Sequence, residues 1–248
     1  MPRADADPAP PVEYAVLCGP EDAAAVWAAR ELTRRGLPVR VVTTEELVYS
    51  AGLVHTVGRA GATVAVRLAD GCVLGPDLRG TLNRVLRIPR DHLAATNETD
   101  RDYVLVELQA VLTSLLAALP GRVVGRADPR GLSGAWWRPA EWVVAAAQAG
   151  LTTVGYRSGG SDDPGPTSTV LVVAGDVVVP DGSQLPGPVA EACRALAERH
   201  GGGVLGIDLV TDSGMFVSAT PWPDLRPGGP AVVDALHAAM VARERVPA

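Results

Sequence analysis

Residues 12–43 impose the strongest constraint on what this chain can fold into. Residues 12–18 (VEYAVLC) are a short apolar run of strand character. Pro20, Glu21 and Asp22 follow, and they suit a helix start: proline fits the first turn, and carboxylates favour the positive end of the dipole. Ala24, Trp27, Ala28 and Leu32 then recur at helical spacing, and Gly36 closes the segment. Residues 38–43 (PVRVVT) read as a second strand. Strand, helix, strand at this spacing predicts a βαβ unit with a parallel pair, because parallel strands need a crossover connection.

The rest of the chain continues as short elements. Residues 64–68 alternate, Asp70-Gly71 marks a hairpin turn, and residues 72–74 return. Residues 101–119 carry the longest helical pattern, with Val104, Leu108, Val111, Leu112 and Leu115 on one face and Pro120-Gly121 as its stop. A brief strand over 122–125 and a helix over 139–149 follow, then an extended stretch over 152–156. Residues 157–168 (RSGGSDDPGPTS) read as a mobile loop. Residues 170–173 and 177–179 flank Ala174-Gly175-Asp176 as a hairpin. A helix over 188–200 is broken by Gly201-Gly202-Gly203. Strands over 204–211 and 215–219 flank Asp212-Ser213-Gly214, and an irregular loop over 222–230 leads to a final amphipathic helix over 231–243. No internal repeat is visible. The expectation is an α/β half, 12–120, and an α+β half, 121–248, with residues 1–11 disordered.

Composition narrows the function classes. A length of 248 residues allows one large domain or two small ones, and 47% apolar content excludes disorder as the main state. The formal net charge of −6 argues against a nucleic-acid partner, which needs a basic face. All 22 basic residues are arginine. Chemistry built on a lysine ammonium, such as a Schiff base or a Walker-A phosphate contact, is thereby excluded. The excess of Ala, Arg, Gly and Pro also fits nucleotide bias, so the lysine gap has two explanations. Cys18, Cys72 and Cys193 are odd in number and widely spaced, which suits neither a disulfide framework nor a metal set. The N-terminus lacks the apolar core of a signal peptide, and no apolar run approaches the ~18 residues of a membrane span. A cytoplasmic protein with no membrane contact is expected.

Several local patterns have a functional and a structural reading. Asp212-Ser213-Gly214 matches the aspartic-protease triplet, but that chemistry needs a second carboxylate of the same kind, and a hairpin turn explains the triplet. Gly201-Gly202-Gly203 follows a helix, whereas phosphate loops precede one, so a helix cap is expected. His55, His92, His200 and His237 are scattered, and His200 lies in a last helical turn that favours its charge. Trp136, Trp137 and Trp142 are notable in a chain with 4% aromatic residues: with Arg138 they form either an interface anchor or a core plug. Trp222 and Arg226, in the segment PWPDLRPGG, either hold a peptide or partner protein or belong to a packed connector. Arg84, Arg87 and Arg90 either bind an anion or form a solvated face.

The order of these segments resembles the ATP-grasp carboxylate–amine ligases, and most closely the branch that modifies ribosomal peptides together with the ribosomal-protein glutamate ligases. The likeness runs through residues 17–48, through 79–85 followed by the long helix, and through Val123–Gly125 with RPAEWVVAAAQAGL. It continues through the hairpin over 170–179 and ends with GIDLV and residues 216–221. It covers most of the chain, and the order is more specific than any single segment. It implies a pre-ATP-grasp βαβ domain followed by a reduced ATP-grasp-like α+β domain lacking most of the grasping lid. The family phosphorylates a carboxylate with ATP, and an amine then attacks the acyl phosphate. Its lysines and Mg²⁺ neutralise the phosphates. By the resemblance, Asp208 matches the family's metal-binding aspartate. Ser218 stands where the family has glutamate, and Thr220 where it has asparagine. The phosphate lysines are missing, and only a short polar segment lies between Gly155 and Thr169, where the family carries its lid.

Three expectations follow. The first is a degenerate, non-catalytic ATP-grasp-like protein that needs no cofactor. It would bind a protein or peptide partner in a peptide or natural-product modification pathway, through the cleft near Asp208, Ser218, Thr220, Arg157, Trp222 and Arg226 and through the tryptophan cluster. The second is a divergent ligase that keeps ATP and Mg²⁺, with Asp208 as a metal ligand, Asp176 or Asp212 as the second carboxylate, and Arg157 in place of a lysine. The third is a nucleotide or small-ligand sensor. Self-association is left open.

Overall fold

The structure, a computed structural model, describes residues 11–59, 61–88, 93, 96–153 and 165–242. The βαβ opening is present: β1 (Tyr14–Cys18), α1 (Ala23–Arg34) and β2 (Val39–Thr43), with β1 and β2 parallel. The side chain of Asp22 caps α1 by accepting from the Ala25 amide at 2.9 Å. A one-turn helix, α2 (Thr44–Val48), follows directly, started by a reciprocal Thr43/Glu46 capping box.

Strands β3 (Gly52–Gly58), β4 (Gly61–Arg67) and β5 (Val73–Leu74) make an antiparallel three-stranded sheet. The hairpin at Asp70-Gly71 was expected; β3 was not, because almost all of it faces solvent and no apolar face marks it. Strand β6 (Gly80–Arg84) pairs parallel to β1, and β7 (Arg122–Val124) pairs parallel to β6, so the four-stranded parallel sheet has the order β2-β1-β6-β7. Between them runs α3 (Glu98–Ala117), which begins three residues before the expected start, with Asn97 as its cap. Leu112, Leu115 and Leu116 are buried, whereas Val111 is exposed. This corrects the expected face: α3 is apolar on most sides, so sequence spacing alone does not fix which side packs.

The second sheet is antiparallel in the order β11-β10-β8-β9, from β8 (Thr167–Val173), β9 (Asp176–Val178), β10 (Val204–Val210) and β11 (Phe216–Thr220). Thr167 and Ser168, expected in a loop, pair with Val210 and Leu209 instead. Residues 157–164 of that loop lie outside the described residues, as do residues 1–10. Ala174 and Gly175 both have positive φ, 49° and 97°, which suits the tight turn between β8 and β9. Helices α4 (Pro139–Gln148) and α5 (Gly187–His200) cover one face of this sheet. The last helix, α6 (Gly229–Val241), follows a 3-10 turn at Arg226–Gly228.

The strands partition the core by alternation. Tyr14, Val16 and Cys18 point to one side of the parallel sheet, with α1 and α6; Ala15 and Leu17 point to the other, with α3 and the β4 and β5 strands. In the second sheet Leu171 and Val173 also face α6, while Val170 and Val172 face α4 and α5. Helix α6 therefore lies between the two sheets, with Val232, Val233, Leu236 and Met240 fully enclosed. The fourth strand and the last helix both come from beyond residue 120, so the two halves of the chain share one core. Truncating Leu236 to alanine is expected to cost ~2–5 kcal/mol of stability, measured by chemical denaturation, with both sheets lost in one transition.

Candidate functional site

The pairing of β8, β10 and β11 sets Thr169, Asp208 and Ser218 side by side across three strands. Leu205, Ile207 and Leu209 point into the core under α4 and α5, so Asp208 takes the opposite face, the one Val204 shares with α6. Directly opposite residues share a sheet face and lie within side-chain reach. The Thr169 hydroxyl donates to Asp208 Oδ1 at 2.7 Å, and the Ser218 hydroxyl donates to Asp208 Oδ2 at 2.6 Å. Each oxygen of the carboxylate is thus engaged by a hydroxyl. Thr220 lies opposite Gly206, and its hydroxyl accepts from the Trp222 amide at 3.2 Å.

This donor set fits a Mg²⁺ ion poorly. Hard cations need several carboxylate or carbonyl oxygens, and here the groups beside Asp208 are hydroxyls that spend their protons on it. Asp176 pairs with Val173, well along β8 from Thr169, and Asp212 sits in the turn after β10. Among the described residues no group of three or more His, Cys, Asp or Glu side chains is placed to hold a metal ion.

A second polar cluster joins the two halves. Arg84, at the end of β6, donates from Nε to Asp22 at 2.7 Å, with the two side chains only 3% and 2% exposed. Arg84 was expected to bind an anion or lie on a solvated face; the Asp22 carboxylate occupies it instead. Arg87 is exposed, 4.0 Å from Glu21, and Arg90 lies outside the described residues. The Arg84 guanidinium stacks over the Trp222 ring at 5.1 Å, and Trp222 Nε1 donates to the Arg84 carbonyl at 3.3 Å. Arg226 folds back onto Asp224 through two nitrogens, at 2.9 and 2.7 Å. Both residues expected to hold a partner are thus engaged within the chain, and Leu225 between them is fully buried. Burial, reinforced by the Asp22 charge, pushes the Cys18 thiol up to about 12.

The tryptophans separate. Trp142 is core at 5% exposure, Trp137 is half-buried against it at 4.7 Å between ring centroids, and Trp136 is exposed at 43%. His200 stacks on Trp142 at 5.1 Å and donates from Nε2 to the Ala135 carbonyl at 2.7 Å. It also lines a cavity of about 140 Å³ with Ser133, whose hydroxyl is buried and has no partner among the described residues. Sequence reasoning missed this cavity, because its walls come from residues 125–135 and 200–204. Cavities of about 430 and 480 Å³ flank the end of α6. None of these three is lined by Asp208, Ser218 or Thr220. Arg157 lies outside the described residues.

The fold these elements build is that of the ATP-grasp ligases. Several solved structures align over 92% of this chain, three of them as follows. One is a RiPP-associated ATP-grasp ligase of Chryseobacterium gregarium in complex with ADP and a leader and core peptide (TM-score 0.66, 10% identity, 96% of that chain). Another is the ATP-grasp ligase PsnB with a phosphomimetic variant of its minimal precursor, Mg and ADP (TM-score 0.65, 15% identity, 98% of that chain). The third is the macrocyclase MdnC of Microcystis aeruginosa MRC with precursor peptide MdnA (TM-score 0.64, 11% identity, 99% of that chain). No protein-family model and no curated protein matches the sequence. No helix among the described residues is long and apolar enough to cross a membrane.

His200 gives this region a pH signature. Burial lowers its pKa from the ordinary 6.5, against the hydrogen bond to Ala135 and the charge of Asp128. The unfolded chain therefore takes up this proton at a higher pH than the folded one. Stability is lost as pH falls below about 6.5 toward the depressed folded value. In His200→Gln the midpoint of urea denaturation is expected to depend less on pH across roughly pH 7 to 5.

Proposed function

We propose that this chain is a non-catalytic relative of the ATP-grasp ligases, acting as a peptide-binding scaffold or partner subunit in a peptide-modification pathway of natural-product type. The observation that carries this reading is Asp208, both of whose oxygens accept from hydroxyls. By the resemblance, Ser218 holds the place of a metal-binding glutamate; a hydroxyl there adds no anionic charge and is turned toward Asp208. Two further features support it. The chain has no lysine to neutralise a polyphosphate, and only eleven residues separate Thr153 from Gly165, too few for a strand-rich lid. The peptide half of the reading is supported by the neighbours of this fold crystallised with precursor peptides. On this chain, exposed Trp136 beside the residue 125–135 loop is the anchor we assign to such a ligand. ATP, Mg²⁺ and a membrane have no role in this reading, and the protein works in the cytoplasm.

Calorimetric titration with ATP and excess Mg²⁺ tests the catalytic question. No binding is expected. Micromolar, Mg²⁺-dependent binding that disappears in Asp208→Ala overturns the reading and restores the ligase. The peptide question is tested by affinity capture from extracts of the source cells with identification by mass spectrometry. A captured peptide is expected, with its yield falling at least several-fold in Trp136→Ala, whose exposed ring leaves the core intact; undiminished capture removes Trp136 as the anchor.

A further inference from the structure

The cavity between residues 125–135 and 200–204 combines features that the surroundings of Asp208 lack. It has a rim and an inner wall: Arg126 and Gly201 are exposed, whereas Ser133, Gly134 and Ala135 are buried. Its two sides come from distant parts of the chain, the segment after β7 and the turn between α5 and β10. They meet so closely that a Cβ on Gly203 would stand 2.9 Å from the Gly125 amide nitrogen. A volume of about 140 Å³ is several times the ~30 Å³ share of one water, so it admits an organic group of a few heavy atoms.

The wall is built in advance of any ligand. Asn83, buried in β6, donates from Nδ2 to the Gly125 carbonyl at 2.9 Å and to the Leu132 carbonyl at 2.6 Å. Both ends of the segment are thereby tied to the parallel sheet. Between them, Asp128 and Gly131 exchange backbone hydrogen bonds at 3.0 and 2.9 Å. His200 is clamped by its bond to Ala135, by Trp142 stacked on its ring, and by the edge contact with Trp137 at 5.3 Å. Binding sites work best when the groups that line them are already fixed.

Three groups on this wall keep unused capacity to accept a hydrogen bond. Ser133 is 4% exposed, and its hydroxyl has no partner among the described residues. A buried polar group is costly until something satisfies it. His200 spends its Nε2 proton on Ala135, so Nδ1 is a bare lone pair, and burial holds the ring below its ordinary pKa of 6.5. Asp128 accepts from the Arg130 amide through Oδ1 at 2.8 Å, and its charge is felt at the His200 ring. Arg126, the cation at the rim, is turned toward the end of α3, where Nη1 donates to the Ala117 carbonyl at 3.4 Å. Two neutral acceptors and one carboxylate suit a cation that only donates, and an ammonium has N–H donors and no acceptor. An anion would meet Asp128, and an apolar group would leave Ser133 unsatisfied. The chain has no lysine, so no side chain of its own can bring an ammonium here.

We infer that the cavity lined by Ser133, His200 and Asp128 is a binding site for a primary ammonium group carried on a short, narrow stem. The ammonium donates to the Ser133 hydroxyl oxygen, to His200 Nδ1 and to the Asp128 carboxylate. Two sources share this chemistry, a free small amine and the N-terminus of a peptide; the second would pass exposed Trp136, which directly follows Ala135 in the wall. The site stands on the cavity alone, so it holds or fails separately from the peptide-binding reading.

Amide NMR of the full chain, titrated with ethylammonium chloride and with glycinamide against sodium chloride at equal ionic strength, tests it. Saturable shifts confined to residues 125–135 and 200–204 are expected, with a Kd of about a millimolar, as suits a ligand of a few heavy atoms. Tetramethylammonium, which has the charge but no N–H, and acetate are expected to leave these amides unmoved. Ser133→Ala and Asp128→Asn are each expected to weaken binding about tenfold or more. Both should keep the thermal midpoint of the ligand-free protein, because Ser133 Oγ bonds nothing among the described residues and an asparagine oxygen still accepts from the Arg130 amide. Tighter binding of glycinamide identifies a peptide N-terminus as the source, and tighter binding of ethylammonium a free amine; either supports the site. No saturable shift with either amine overturns the proposal and leaves the cavity to water. Equal shifts with acetate or tetramethylammonium also overturn it, as does undiminished binding in either variant.

Discussion

Helix α6 is the element on which the rest of the molecule depends. It is the last helix in the described chain, yet it fills the space between the two main sheets and touches α1, β6, β7, β8 and β9. Its approach to β6 is so close that a Cβ on Gly80 would stand 2.6 Å from the Met240 carbonyl oxygen. Glycine at this position is thus a packing requirement, met where helix backbone meets strand. With α6 enclosed on both sides, the parallel sheet cannot complete its core without the chain's second half. The antiparallel sheet likewise needs α6 to cover the face that α4 and α5 leave open.

The second tie between the halves is electrostatic. Asp22 caps α1 and at the same time holds the Arg84 guanidinium, whose flat face rests on Trp222. Desolvating both charges is costly, and the pair is better read as fixing one arrangement of the halves than as a large net stabiliser. The same interface engages Trp222 with Arg84, while Arg226 pairs with Asp224 beside it. Along the second sheet, the Asp208 carboxylate is held by hydroxyls from both neighbouring strands. Thr169 and Ser218 satisfy its charge with hydrogen bonds, and the β10–β11 register shifts just after it, between Asp208 and Leu209.

The two-residue and 3.6-residue periods of the chain made most elements legible, because they reflect burial on one face. The βαβ opening, the hairpin over 170–179, α4, α5 and the pair β10 and β11 all carried such a signal. Strand β3 did not, since a strand exposed on nearly its whole length has no buried face to betray it. Helix α3 was visible but its packed side was not, since Val104, Val106 and Val111 offer apolar surface in several directions. At the candidate site, the sequence placed Asp208 and Ser218 on neighbouring strands and left Thr220 just past the end of the second, where β11 in fact includes it. It was silent on Thr169, whose hydroxyl reaches Asp208 only because β8 pairs with β10 across thirty-nine residues of chain.

What the sequence determined by itself was local: where most strands and helices lie, and the absence of lysine chemistry. These follow from residue type and spacing, which act within a few residues. The tertiary structure decided the pairings between distant residues. It turned Arg84 from a surface cation into the partner of Asp22, separated Trp136 from the buried Trp142, and lowered the pKa of His200 by burial although it ends a helix whose dipole favours its charge. Each of these outcomes depends on which groups are removed from water together, and that is set by the packing of α6 and the two sheets rather than by neighbours along the chain.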